Sequence, residues 1–345
     1  MPKRIKNVDY FKCLRFEKLD SGFLEELFNE FDGRYLFLTS SYLGALSIVL
    51  SYFREIGHLE DKNAEVWVPQ LMETLKYNII LKHCFPSVVQ SDTTRGIIVF
   101  HQNGYPQNLN RIVTLAEENN WFLIEDCTQA IMSYYNGKRV GLFGDASIFS
   151  FSMFFPSLIG GAIITKNEQL GNYIEKKLNT TIGRGRYISF FSKLLYEKSN
   201  SPKARYFWGK WIEMSSNASD LSLKLNSRLK NVVLRRLDKK SLTLRSENRD
   251  FYQNELIDLN IIIKPDKREV ITPYKMPLIA TKPELNNLLR QLQNIGLDTD
   301  LYYFDVNRDM IDPNFRECIW LPVHQDIDRD IRLHIVNVIR DAVGV

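Results

Sequence analysis

The side chains that could do chemistry in this chain gather at the ends of apolar runs. Asp126 closes the run FLIED, and Gln129 follows it in the turn CTQA. In a parallel sheet, a carboxylate at a strand's carboxyl end faces the edge where ligands bind; the plainer role is to tie its own loop. Ser150 lies in FSF (149–151), either as a polar contact for a ligand or as a strand residue facing a polar interior. Ser40, Ser41 and Gly44 open an apolar helical stretch in TSSYLGAL (39–46), and free backbone amides at a helix start are what grip a phosphate. The five histidines (His58, His83, His101, His324, His334) are scattered, and Cys13, Cys84, Cys127 and Cys318 form no CxxC pair. No metal site is expected, and the thiols read as free in a reducing, cytoplasmic setting.

The elements that must position these residues alternate. Strands are predicted at 35–39, 65–68, 96–101, 121–126, 145–151 and 160–166. Helices are predicted at 43–56, 71–82, 107–119 and from about Asn167 onward, each with apolar residues at helical spacing. Strands separated by helices of this length predict βαβ units, an α/β fold and a mainly parallel central sheet flanked by helices. Residues 221–259 read as long helices. The tail reads as a small α+β lobe with a helix near 283–295, a turn at 321–326 and a final helix. The expected organisation is a large α/β domain over 1–240 and a small C-terminal domain over 241–345.

Length and composition bound the function. The 345 residues allow two packed domains, and 44% apolar with 25% charged residues is ordinary for a globular protein. No run approaches the ~18 apolar residues of a membrane span, and the N-terminus shows no secretory h-region. The net charge of +4 does not indicate nucleic-acid binding. One stretch stands apart. Within a basic and aromatic excursion over 183–220, Glu197 is the only acid between Arg184 and Trp211. Its plain reading is a solvated helical excursion at a dimer interface. Its sharper reading is a surface for an anionic partner, such as a nucleotide-sugar diphosphate or a membrane face.

From 122 to 166 the pattern becomes specific. FLIEDCTQAI, YYNGKRVGLFGDASIFSFS and GGAIITK together resemble the DegT/StrS family of pyridoxal-phosphate sugar aminotransferases, which have fold type I. HQNGYP (101–106), VWVPQLMET (66–74), LRSENRDFYQNEL (244–256) and LPVHQDID (321–328) extend the resemblance over roughly residues 35–345. The resemblance implies that Asp126 pairs with the pyridine nitrogen of the cofactor, so that the ring can accept electrons. It also implies that Gln129 lies by the ring, and that Ser150, Ser41 and Gly44 lie near the phosphate.

The family's chemistry requires a lysine that forms a Schiff base and shuttles a proton. Aligning FSFSMFFPSLIGG (149–161) with the family's FSFRKxxPxxxGG places the arginine on Ser152 and the lysine on Met153; another spacing places the lysine on Phe155. No lysine occurs between Arg139 and Lys166. Tyr42 and Leu43 stand where the related subfamily tends to have Gly-Arg in the phosphate cradle. Changes at the lysine, its neighbour and the cradle read as natural divergence.

The resemblance therefore implies a role in nucleotide-sugar metabolism for surface polysaccharides, with ordinary lysine-dependent transamination disfavoured. Three forms stay open. The first is an enzyme that uses pyridoxal or pyridoxamine phosphate without a covalent bond, with His101 as the nominated base. The second is a cofactor-free enzyme that reuses the sugar pocket for group transfer. The third is a non-catalytic sugar-binding or partner subunit. The resemblance implies a homodimer, and the third form would pair with a lysine-bearing paralogue.

Overall fold

The computed structural model describes residues 21–31, 33–60, 63–157, 159–180, 225 and 227–344. The basic and aromatic excursion lies outside the described residues. The described residues open with α1 (Ser21–Phe28), β1 (Tyr35–Thr39), α2 (Tyr42–Glu55), β2 (Glu65–Trp67), α3 (Thr74–Ile80), β3 (Phe85–Ser87) and β4 (Thr94–Phe100). It continues through α4 (Leu109–Glu118), β5 (Phe122–Asp126), a small hairpin of β6 (Tyr134–Tyr135) and β7 (Lys138–Arg139), then β8 (Ala146–Ser150), β9 (Gly161–Thr165) and α5 (Glu168–Thr180). After the excursion come α6 (Ser227–Leu234), α7 (Lys239–Glu255), β10 (Glu269–Val270), β11 (Lys275–Leu278), α8 (Lys282–Asn294), β12 (Leu301–Asp305), β13 (Phe315–Pro322) and α9 (Arg329–Val343).

Seven strands form the central sheet, in the order β1-β9-β8-β5-β4-β2-β3. Pairing is parallel from β8 to β3, and β9 runs antiparallel to both its neighbours. The sheet is the mostly parallel α/β sheet expected from the alternation of strands and helices. Its middle strands β5, β8 and β9 are buried at every position. That burial is why they read as continuous apolar runs rather than alternating ones.

Helices cover both faces. On one face α2, α3 and α5 pack over Ile98, Ile124, Ile148 and Ile163. On the other, α1, α4 and the α6–α7 segment pack over Ile97, Val99, Leu123 and Phe149. A separate C-terminal core brings α7, α8 and α9 onto the three-stranded sheet β11-β13-β12, around Tyr252, Leu288, Ile319 and Ile335. Of the long helices predicted over 221–259, the described residues form two α-helices, α6 and α7. Asp238 interrupts them and caps α7 by accepting from the Ser241 amide at 2.7 Å.

The register fixes one functional edge. Thr39 and Ser150 both pair with Gly161, and Phe100 pairs with Asp126. The carboxyl ends of β1, β8, β5 and β4 therefore share an edge with the start of β9. Gly161 lets this edge close, because a Cβ there would sit 2.8 Å from the Tyr42 nitrogen and 2.7 Å from the Phe149 carbonyl oxygen.

Candidate active site

Asp126 ends β5 at this edge and is fully buried. Its Oδ1 accepts from the Thr128 hydroxyl at 2.6 Å and from the Thr128 amide at 3.1 Å. Its Oδ2 meets a cation from another element: Lys76 Nζ lies 2.5 Å away, an ionic contact between side chains that are 3% and 1% exposed. Lys76 also donates to the Thr128 hydroxyl at 3.0 Å. The three side chains form a closed ring of contacts, the Thr128 oxygen accepting from lysine and donating to aspartate.

Apolar and aromatic groups seal the ammonium. Nζ lies 4.2 Å from the Phe100 ring centroid and 5.5 Å from that of Tyr42. A cation desolvated over ring faces gains from their quadrupoles. Tyr42 is the first residue of α2, and its hydroxyl donates to both oxygens of Glu73 at 3.0 Å. Burial, together with the charges of Glu73 and Asp126, holds the Tyr42 phenol well above its ordinary pKa, so it acts as a donor.

The other residues expected at the site are placed as follows. Ser41 caps α2, its Oγ accepting from the Gly44 amide at 3.1 Å, so these two are bonded to each other. Ser150 Oγ lies 3.3 Å from Ser152 Oγ. Gln129 Oε1 accepts from the Asn103 amide at 2.8 Å, and Asn103 in turn accepts from the Tyr274 amide. Met153 is half-buried in the turn after β8 and packs against both faces' cores.

His101 does not join the group around Asp126. It lies on the other side of β5, fully buried, where Nδ1 accepts from the Gln107 amide at 3.2 Å and Nε2 faces Glu125 at 3.5 Å. Glu125 accepts from the amides of Gly141, Phe143 and Gly144 at 2.6–2.8 Å, clamping the loop before β8. His101, Glu125 and Cys127 bring one ligand atom each within 4.8 Å of one another. The three amides already engage both oxygens of Glu125, and burial holds the Cys127 thiol well above its ordinary pKa, so the cluster is built as a loop clamp.

Lys76 was missed in the sequence, yet it carried a signal. Leu75, Lys76, Ile79 and Ile80 are the buried residues of α3, so the lysine stands on the helix's apolar stripe.

The fold is that of the fold type I aminotransferases. The aminotransferase TlmJ from Streptoalloteichus hindustanus superposes with a TM-score of 0.69 at 16% identity, covering 94% of this chain and 90% of that one. Helicobacter pylori PseC, an aminotransferase of pseudoaminic acid biosynthesis, gives 0.69 at 14% identity over 99% and 98%. The chain belongs to the DegT/DnrJ/EryC1/StrS aminotransferase family, whose model matches residues 76–340. Local matches include GDP-perosamine synthase of Escherichia coli O157:H7, 40% identical over 82 residues, which are 23% of this chain and 22% of that protein. A UDP-N-acetyl-3-dehydro-alpha-D-glucosamine 3-aminotransferase of Acidithiobacillus ferrooxidans is 35% identical over 108 residues, 30% of this chain and 27% of that one. The chain thus aligns with about a quarter of each of these relatives.

Family members use pyridoxal phosphate, and the residues present here do not fit that group. The Asp126 oxygen that Thr128 leaves without a hydrogen bond already lies beside the Lys76 ammonium. The turn between β8 and β9 holds no amine. At the start of α2, a tyrosine side chain stands where a phosphate cradle needs an unobstructed backbone.

Proposed function

We propose that this protein is a nucleotide-sugar-binding member of the family, acting in surface-polysaccharide biosynthesis without lysine-dependent transamination. The observation that carries the reading is the turn after β8. Met153, half-buried between the two cores, has neither a nucleophilic nitrogen nor a proton to move, and no lysine lies between Arg139 and Lys166. The nucleotide-sugar part rests on family membership and on the local similarity to GDP-, UDP- and dTDP-sugar enzymes. Of the three forms open at the sequence, the seal of Lys76 against Asp126 favours those that need no pyridoxal cofactor.

The test is a calorimetric titration of the purified chain with UDP-, GDP- and dTDP-sugars, beside a glutamate-dependent amination assay on the corresponding keto sugars. Saturable binding of one nucleotide class with no amino sugar formed is the expected outcome. Formation of amino sugar would overturn the reading, and so would failure to bind any of the three.

A further inference from the structure

We infer that Lys76 is a built-in replacement for the cofactor's ring cation, and that it keeps this pocket closed to pyridoxal and pyridoxamine phosphate. The inference rests on the chain being a non-transaminating member of its family, and it assigns a role to a residue on a different element from the missing amine.

The argument begins with the acid. A buried carboxylate without a counter-charge is costly, and removing its partner is strongly destabilising. In an enzyme that binds a pyridinium, the ligand itself can supply that partner. Here the chain supplies it. Lys76 Nζ lies 2.5 Å from Asp126 Oδ2 and donates to Thr128 at 3.0 Å, and Thr128 also holds Oδ1. Oδ1 thus takes two hydrogen bonds from Thr128, while Oδ2 has the ammonium as its ionic neighbour without a hydrogen bond of good geometry. The negative charge of the acid is therefore already balanced from within the chain.

The surrounding residues suit a permanent resident. Phe100 places its ring 4.2 Å from the ammonium. Tyr42 closes over it from α2 and is itself anchored to Glu73, just before α3, so the helix that carries Lys76 and the helix that covers it are tied together. A planar cofactor that placed its ring nitrogen on Asp126 would have to displace the ammonium and leave Lys76 buried without its counter-charge. Met153 thus offers no amine in the turn after β8, and the Asp126 carboxylate already has an ammonium beside it: a covalent anchor is lacking there, and the ionic anchor is occupied.

The experiment uses the full chain and three variants, Lys76→Ala, Asp126→Asn and the pair Lys76→Met with Asp126→Asn. Thermal unfolding is followed with and without n-propylammonium, which matches the part of the lysine lost beyond Cβ, and each protein is titrated spectrally with pyridoxamine phosphate. The expected results are these. The unaltered chain shows no saturable binding of pyridoxamine phosphate. Lys76→Ala melts several degrees lower, regains much of the loss on adding n-propylammonium, and binds pyridoxamine phosphate saturably where the unaltered chain does not. The double variant, with neither charge, melts above either single change. Should Lys76→Ala fail to fold, the double variant against Asp126→Asn alone still reads the coupling. Saturable micromolar binding of pyridoxamine phosphate by the unaltered chain would overturn the inference. So would a Lys76→Ala melting point equal to that of the unaltered chain and indifferent to n-propylammonium. Neither result bears on nucleotide-sugar binding, which the calorimetric titration reads separately.

Discussion

The guanidinium of Arg245 donates to the carbonyl oxygen of Phe154 at 3.2 Å, so a helix leading to the C-terminal lobe holds the turn that contains Met153. The same side chain donates to the Tyr274 carbonyl at 3.2 Å and stacks 5.1 Å from the Phe154 ring, with no exposure to solvent. Replacing Arg245 by Met removes two charge-assisted bonds to backbone carbonyls, that of Phe154 buried, while keeping much of the apolar stem. We expect a loss of about 3 kcal/mol in urea unfolding, with an unchanged m value. A cost below about 1 kcal/mol would mean that the turn is held by its apolar packing alone.

Restoring the amine should not restore the cofactor. Met153 touches both cores, and a lysine there can extend its ammonium only by giving up some of that packing. Met153→Lys should lower stability by about 1–2 kcal/mol. It should leave the absorbance of added pyridoxal phosphate unchanged, because the Lys76–Asp126 contact is untouched. Combining it with Lys76→Ala separates the two ends of the site. If Met153→Lys alone takes up the cofactor, as seen in the spectrum and by borohydride reduction with mass analysis, the pocket is open and the Lys76 contact yields.

Much of this was legible in the sequence, for a physical reason. The middle strands are covered on both faces, so FLIED and GAIIT had to be apolar throughout, and Asp126 stood out at the end of its run. Less was legible where a residue's meaning depends on a distant partner. The hairpin of β6 and β7 passed unread although Asn136 and Gly137, both at positive φ, carry the two-residue turn signal. The predicted helix over 71–82 begins only at Thr74, because the segment before it is spent bringing Glu73 to Tyr42. Lys76 is not legible because its ion pair with Asp126 spans 50 residues of sequence and lies 77 positions before Met153, where the family pattern places its lysine. His101 lies near Asp126 in the chain's strand order, but the alternation of β5 places it with Glu125 on the opposite side.

That alternation makes Glu125 the more exacting neighbour for stability. Three amides of the loop over 141–144 donate to its carboxylate, and it has no exposure. Glu125→Gln turns one acceptor into an amide group that faces N–H donors. Its cost should be about 2–4 kcal/mol by denaturant unfolding, and the Lys76–Asp126 contact on the other side of the strand should survive. The discriminating readout is hydrogen exchange: the amides of Gly141 and Gly144 should lose protection in the variant, while that of Thr128 should keep it. Equal loss at all three would mean that the two sides of β5 act as one unit.

A second buried lysine gives the C-terminal lobe a pH dependence. Lys275 on β11 lies among Tyr274, Tyr302 and Trp320, its Nζ 4.5 Å from the Trp320 ring centroid, and burial lowers its pKa from 10.5 to about 8. Between those two values the unfolded chain holds a proton that the folded chain has released, so stability rises with pH through that window. Below pH 8 both states are protonated, and the folded one bears the cost of a desolvated ammonium, offset in part by the ring faces. Lys275→Met removes the proton and keeps the apolar stem. The variant should be the more stable protein at pH 7, and its advantage should shrink by about 2 kcal/mol on going to pH 9.5, measured as the difference between paired urea curves. Taking the difference cancels the titrating groups that Lys275 does not touch; Cys318, which feels the lysine's charge, is kept out of the range by its own pKa of about 12. A constant gap between the two proteins across that range would show that Lys275 carries the same charge in the folded and unfolded chains, and that the aromatic cage fully replaces its water.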